Sequence, residues 1–146
     1  MIATAPLTTF TTAETTRQAD ILFNARTKTA VIVTKTEYLP MDKFREIFDS
    51  LSVLFAKQPI STLIFDKRSL RVFHQPSMEW YYKEWKTVML EKWGLRNHYK
   101  LLPQDSMFRK SVEIGRSKIL SDLPSNSPLL QLNIRYFETL EDALDA

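Results

Sequence analysis

The sequence predicts a small single-domain α/β protein with a mixed sheet of four or five strands and about four helices. Three observations carry this. Short β-prone runs alternate with longer runs of helical periodicity from residue 29 onward. The run Thr62-Leu63-Ile64-Phe65 is nearly continuous apolar sequence, as expected of a central strand covered on both faces. The chain has 146 residues, of which 44% are hydrophobic and 25% charged, enough for one buried core.

In chain order, residues 1–17 read as a threonine-rich tail, or at most an edge strand around Leu7–Thr12, and 18–146 as the domain. Ala19–Ala25 and Thr29–Lys35 form an antiparallel hairpin across the polar turn Arg26-Thr27-Lys28. Pro40–Lys57 is a helix with Pro40 at its start and Phe44, Ile47, Phe48, Leu51, Leu54 and Phe55 on one wide stripe. The strand Ser61–Phe65 follows, parallel to Thr29–Lys35 by the crossover rule.

A long aromatic helix spans Pro76–Trp93 and ends at Gly94. At 100° per residue, Met78, Tyr81, Tyr82, Trp85, Val88 and Met89 share its inward face. Trp80 and Leu90 fall on the far side, among Lys83, Glu84 and Lys86. Two readings of Trp80 stand level: cover by a loop or the N-terminal tail, and contact with another chain. Trp80 and Leu90 are therefore the candidate partner-contact residues. His98–Leu102 is the fourth strand, Met107–Ile119 a helix that Gly115 weakens, Ser121–Pro128 a loop, and Leu130–Phe137 a half-exposed last strand. Thr139 caps a short final helix, Leu140–Ala146.

Charge is uneven. Net charge is only +3, but Lys67 to Lys118 holds 12 Lys/Arg against 5 Asp/Glu, whereas one Arg faces five acids after Ser121. Solvated helix faces are the favoured reading of this basic middle, with an acidic ligand or partner the lesser one. There is no cysteine, which excludes disulfides, thiolate metal sites and cysteine nucleophiles. The two glycines, Gly94 and Gly115, stand in no phosphate-binding context, and the two histidines, His74 and His98, lack metal-ligand spacing. No catalytic residue, metal or cofactor is expected, nor nucleic acid, because most rings between Trp80 and Lys100 belong to the apolar stripe. With no leader and no apolar run long enough to cross a bilayer, the chain is expected to be cytoplasmic.

The strand TLIFD (Thr62–Asp66), the helix segment WYYKEW (Trp80–Trp85) and the closing YFETLEDAL (Tyr136–Leu144) resemble the SpoIIAA-like (STAS-related) domains, especially their small uncharacterised bacterial members. The resemblance covers roughly Ala19 to the C-terminus. It implies a SpoIIAA-like sheet and a non-enzymatic regulatory or protein-interaction role, self-association as a homodimer included. The alternative it implies is a carrier or sensor of a small apolar or lipid-like ligand bound between helices and sheet. The Asp-Ser-Ser-Gly type turn of the phosphorylated members has no counterpart in DKRSLRVFHQPS, so Ser69 and Ser77 are not assigned a phosphoswitch.

The binding edge expected of an open α/β sheet lies beyond the carboxyl ends of its parallel strands. Asp66, Arg68, Arg71 and His74 are the ligand-edge candidates there, set against a solvated loop in which Asp66 serves local backbone groups, the favoured reading.

Overall fold

The computed structural model describes residues 9–71, 74–103 and 105–146. It is an α/β structure built on one six-stranded mixed sheet whose spatial order follows the chain, β1-β2-β3-β4-β5-β6. Strands β1 (Thr11–Thr15), β2 (Ala19–Asn24) and β3 (Thr29–Thr34) pair antiparallel; β4 (Thr62–Asp66), β5 (Asn97–Leu101) and β6 (Asn133–Phe137) continue in parallel from β3. The count of six corrects the expected four or five. The added strand is β1, which overlaps the edge strand allowed around Leu7–Thr12, and its backbone zips onto β2 although nearly every side chain in TTAET is exposed; residues 1–8 of the expected tail lie outside the described residues. Ladder hydrogen bonding, invisible to hydrophobic patterning, places it there.

Four helical runs complete the fold: α1 (Met41–Lys57), the run Gln75–Trp93, α4 (Ser106–Ser121) and α5 (Leu140–Asp145). The second run is α2 (Gln75–Trp80) and α3 (Lys86–Trp93) joined by a π-helical turn, Tyr81–Trp85. Each follows from its sequence. Asp42 sits in the first turn of α1 and Lys57 in the last, both favourable to the helix dipole. Asp105 accepts from Phe108 N–H (2.9 Å) to cap α4, and Thr139 accepts from Asp142 N–H (3.1 Å) to cap α5. Gly94 ends α3 at φ 79, a left-handed conformation suited to glycine. Gly115 is buried and α4 runs through it unbroken.

The pleat sorts side chains onto two faces. On one face Ile21, Ile32 and Phe65 stand in register with Lys100 and Tyr136, and Ala30 and Leu63 with His98 and Ile134. The helices α1 to α4 pack there, bringing Phe44, Phe48, Tyr81, Trp85, Phe108 and Val112 into the larger core. The other face, with Val31, Ile64, Tyr99 and Leu101, is closed by Leu140 and Ala143 of α5. Three successive crossovers over one face lay each new strand beside the last, which is why sheet order equals chain order.

Phe48 is the hub of the aromatic core. It is fully buried, with ring centroids 4.7 Å from Tyr81, 4.8 Å from Trp85 and 5.5 Å from Phe65. Its carbonyl accepts from the Trp85 indole N–H (3.1 Å), which Ser52 Oγ also accepts (2.8 Å). Truncation of Phe48 to Ala should lower unfolding free energy by about 3–5 kcal/mol, the usual loss for a large ring in a close-packed core. Urea titration would read it, and a change below about 1 kcal/mol would mean the rings do not interlock as described.

Candidate functional site

The expected ligand edge is occupied by its own chain. Asp66 is buried and takes both Arg68 guanidinium contacts, Nε at 2.9 Å and Nη2 at 2.8 Å, together with the Arg68 backbone N–H at 3.1 Å. That pairing holds the Arg68 guanidinium above its ordinary pKa. Arg71 is exposed and shared between Glu37 and Asp105, both at 3.5 Å. Ser69 Oγ lies 2.7 Å from Thr34 Oγ1 and donates to Thr36 O at 2.8 Å. His74 caps α2: Nδ1 accepts from Ser77 N–H (3.3 Å) and lies 2.7 Å from Ser77 Oγ. A sheet wound in one direction also lacks the reversal of strand order that opens a crevice at strand ends. Asp66 and Arg68 form one pair and His74 turns to Ser77, while Arg68 and Arg71 line one open depression of about 400 Å³ together with Ser69 and Asp105.

Trp80 and Leu90 also differ from expectation. Leu90 is buried in the core, at 7% exposure. Trp80 is half-buried, edge-on to Phe44 (6.3 Å) and Phe48 (6.4 Å), with the Arg45 guanidinium 5.1 Å over its ring. Helix α1 of the same chain therefore covers much of it. The cause of the Leu90 error is the π turn. Each residue of a π turn advances the helix by less than the 100° assumed, so everything after Trp85 lags. The lag swings Val88 outward, to 48% exposure, and carries Lys86 and Leu90 inward.

What the π turn brings inside is the candidate site. Lys86 and Lys100 are fully buried, Lys67 is 3% exposed, and His98 is fully buried beside them. Three elements supply these groups: Lys67 follows β4, His98 and Lys100 alternate on the helix-facing side of β5, and Lys86 opens α3. Tyr81 and Tyr82 pack from the π turn, Tyr136 from β6 and Arg116 from α4, its guanidinium 4.4 Å over the Tyr136 ring. No carboxylate pairs with any of the three lysines among the described residues. The charge of exposed Glu113 helps to raise Tyr136.

Burial without counter-charge disfavours the protonated forms. Burial, then the Arg116 charge, pushes the Lys67 amine down to about 7. Burial holds Lys86 and Lys100 well below the ordinary lysine value, each reinforced by neighbouring cations. His98 is held well below the usual imidazole range by burial and by Lys86 and Lys100. Burial raises Tyr81 and Tyr82, so both phenols keep their protons. The Tyr81 hydroxyl and His98 Nε2 share a hydrogen bond of 2.6 Å. The Lys100 amine is hydrogen-bonded to the Tyr82 hydroxyl.

Among the described residues Lys86 Nζ has no hydrogen-bond partner. It lies 3.7 Å over the Tyr82 ring and 4.5 Å over that of Tyr81, with Lys100 beside it but out of hydrogen-bonding geometry. A cavity of about 30 Å³ adjoins the cluster. Lys67, His74 and Ser77 give it polar wall; Phe65, Met78 and Phe108 are among its apolar walls. Sequence reasoning missed Lys67, Lys86 and Lys100 as a group. The legible signal was His98-Tyr99-Lys100, which places two polar side chains on one face of a strand buried on both sides.

Comparison with protein-family models, curated proteins and solved structures finds no match for this chain. No described helix is long and apolar enough to cross a membrane.

The cluster makes stability depend on pH in a defined direction. An amine depressed by folding binds fewer protons folded than unfolded, so stability rises with pH between its native and unfolded values. For Lys67 that window runs from about 7 to 10.5; Lys86, Lys100 and His98, depressed further, extend the slope toward acid. The melting temperature should therefore climb from pH 6 to pH 9. Lys86→Met should flatten that climb and raise stability at pH 7 by about 1–3 kcal/mol, since an apolar side chain of similar length suits the site better. A Lys86→Met protein that melts lower than the parent would refute the unpaired burial of this amine.

Proposed function

We propose that the chain is a non-enzymatic regulatory module of SpoIIAA-like type whose input is a small anionic ligand held between helices and sheet. The observation that carries this is the burial of Lys67, Lys86 and Lys100 with no paired carboxylate among the described residues. An oxyanion in the cavity would meet Lys67 at its wall, with His74 and Ser77 opposite. Its charge would favour reprotonation of the amines, and each regained proton would strengthen the contact. Ligand binding is then coupled to proton uptake and to the packing of the helical run Gln75–Trp93, which carries Tyr81, Tyr82 and Lys86. That run is the element through which occupancy would alter the surface offered to a protein partner.

The SpoIIAA-like assignment draws support from the one-way β-α winding that follows the N-terminal antiparallel strands. A lipid-like ligand is the weaker alternative. It calls for a roomy cavity under Tyr81, Trp85 and Phe108, where Tyr81 is fully buried and Trp85 4% exposed. The cavity beside Phe108, about 30 Å³, holds about one or two waters. The ligand proposed is accordingly formate- to acetate-sized.

Isothermal titration with formate, in two buffers of different ionisation enthalpy, tests the reading. Net proton uptake at pH 8 and a melting temperature that rises with formate concentration are expected. Lys67→Met should weaken binding at least about tenfold, the loss of one charge-assisted hydrogen bond. Binding that neither takes up protons nor responds to Lys67→Met would sink the proposal.

A further inference from the structure

We infer that Lys67 is a carbonyl-capturing amine, and that the site takes a small aldehyde or 2-oxo acid as a reversible imine. The inference rests on geometry at one atom group. Lys67 follows β4, its backbone N–H bonded to Leu101 O (3.3 Å), so its side chain starts from a rigid sheet edge. It is 3% exposed, yet it forms part of the cavity wall, with the Phe65 ring 5.7 Å from Nζ. Among the described residues no carboxylate pairs with it. An amine beside other cations in an apolar setting is the environment that makes lysine a nucleophile at neutral pH. Lys86 and Lys100 lie in the same cluster, but neither forms part of the cavity wall, which singles out Lys67.

The chemistry balances within the site. The Lys67 nitrogen lone pair attacks the carbonyl carbon, the C=O π pair moves to oxygen, and a proton passes from nitrogen to that oxygen to give a carbinolamine. Loss of water then forms the C=N bond, and water reverses it, so no oxidant or reductant is needed. His74 and Ser77, whose Nδ1 and Oγ lie 2.7 Å apart, share the cavity wall and are placed to relay the proton in the dehydration step. A carbonyl ligand that also carries an acid group would satisfy Lys67 with its carbonyl, and its charge would draw a proton onto a neighbouring amine.

This deepens the anion-binding reading by naming the ligand class, and the two can fail separately. The full chain is treated at pH 7.5 with glyoxylate, or with uncharged glycolaldehyde, in the presence of cyanoborohydride, which donates hydride to the imine and fixes it as a secondary amine. Peptide mass mapping should find the adduct at Lys67 at least about tenfold above any other lysine, and in urea this preference should vanish. Lys67→Arg, which keeps the charge, should remove the preferred adduct while Lys67→Met confirms that labelling does not move to Lys86 or Lys100. Selective labelling by glyoxylate over glycolaldehyde supports both ideas. Equal labelling by the two supports imine capture and overturns the anion reading. Adducts spread over exposed lysines, with Lys67 bare in the folded protein, overturn the inference.

Discussion

Three amines and an imidazole lie between one face of the sheet and its helices, and among the described residues no carboxylate pairs with the amines. Little else in the core is free to vary once they are there. A buried ammonium without a counter-ion is so unfavourable that the group sheds its proton instead. The surroundings are arranged for neutral amines: aromatic faces from Tyr81 and Tyr82, phenols that keep their protons, and a neutral His98 hydrogen-bonded to one of them. Replacing such groups with apolar side chains commonly stabilises a fold. Their presence beside a cavity is therefore better explained by what enters that cavity than by what holds the core together.

The π turn is the local device that makes the cluster geometrically possible. With α-helical winding throughout, Lys86 would stand outside the inward stripe and Val88 inside it. The slower rotation across Tyr81–Trp85 exchanges them. It also leaves Tyr81, Tyr82 and Trp85 all inward, so that one turn faces Phe48 on one side and the basic cluster on the other. Such turns lack the regular i to i+4 bonding of their neighbours, so they persist where tertiary contacts compensate. Here the indole bond of Trp85 to Phe48 O and Ser52 Oγ, and the Tyr81–His98 bond, do so.

Much of the fold was legible because it rests on periodicity. The stripe Phe44–Phe55 predicted α1 and its buried face, TLIFD predicted a central parallel strand, and the cap at Thr139 marks a real helix start. What was not legible depends on departures from periodicity or on pairing at a distance. β1 has no buried stripe and is held by its ladder with β2. The π turn broke the helical wheel at the point where Lys86 and Leu90 were assigned to the outside. Asp66 and Arg68 looked like a ligand edge because a strand-end acid next to basic residues has two uses, and only distances show that they satisfy each other.

The direction of winding explains why the site lies between the layers and not at the sheet's edge. In a doubly wound sheet, helices on opposite faces part at the reversal of strand order, and the ends of the central strands open into a crevice. Here the crossovers all pass over one face, so the helices α1 to α4 stay together on that face. An enclosed space for a ligand can then arise where the helical layer and the sheet fail to fill the gap with apolar atoms. Lys67, His98 and Lys100 stand on the sheet side of that gap and Lys86 on the helix side. A ligand that drew protons onto these amines would act on both layers at once, and any displacement would pass along a helix that runs from His74 at the cavity to Gly94 at the opposite end of the crossover.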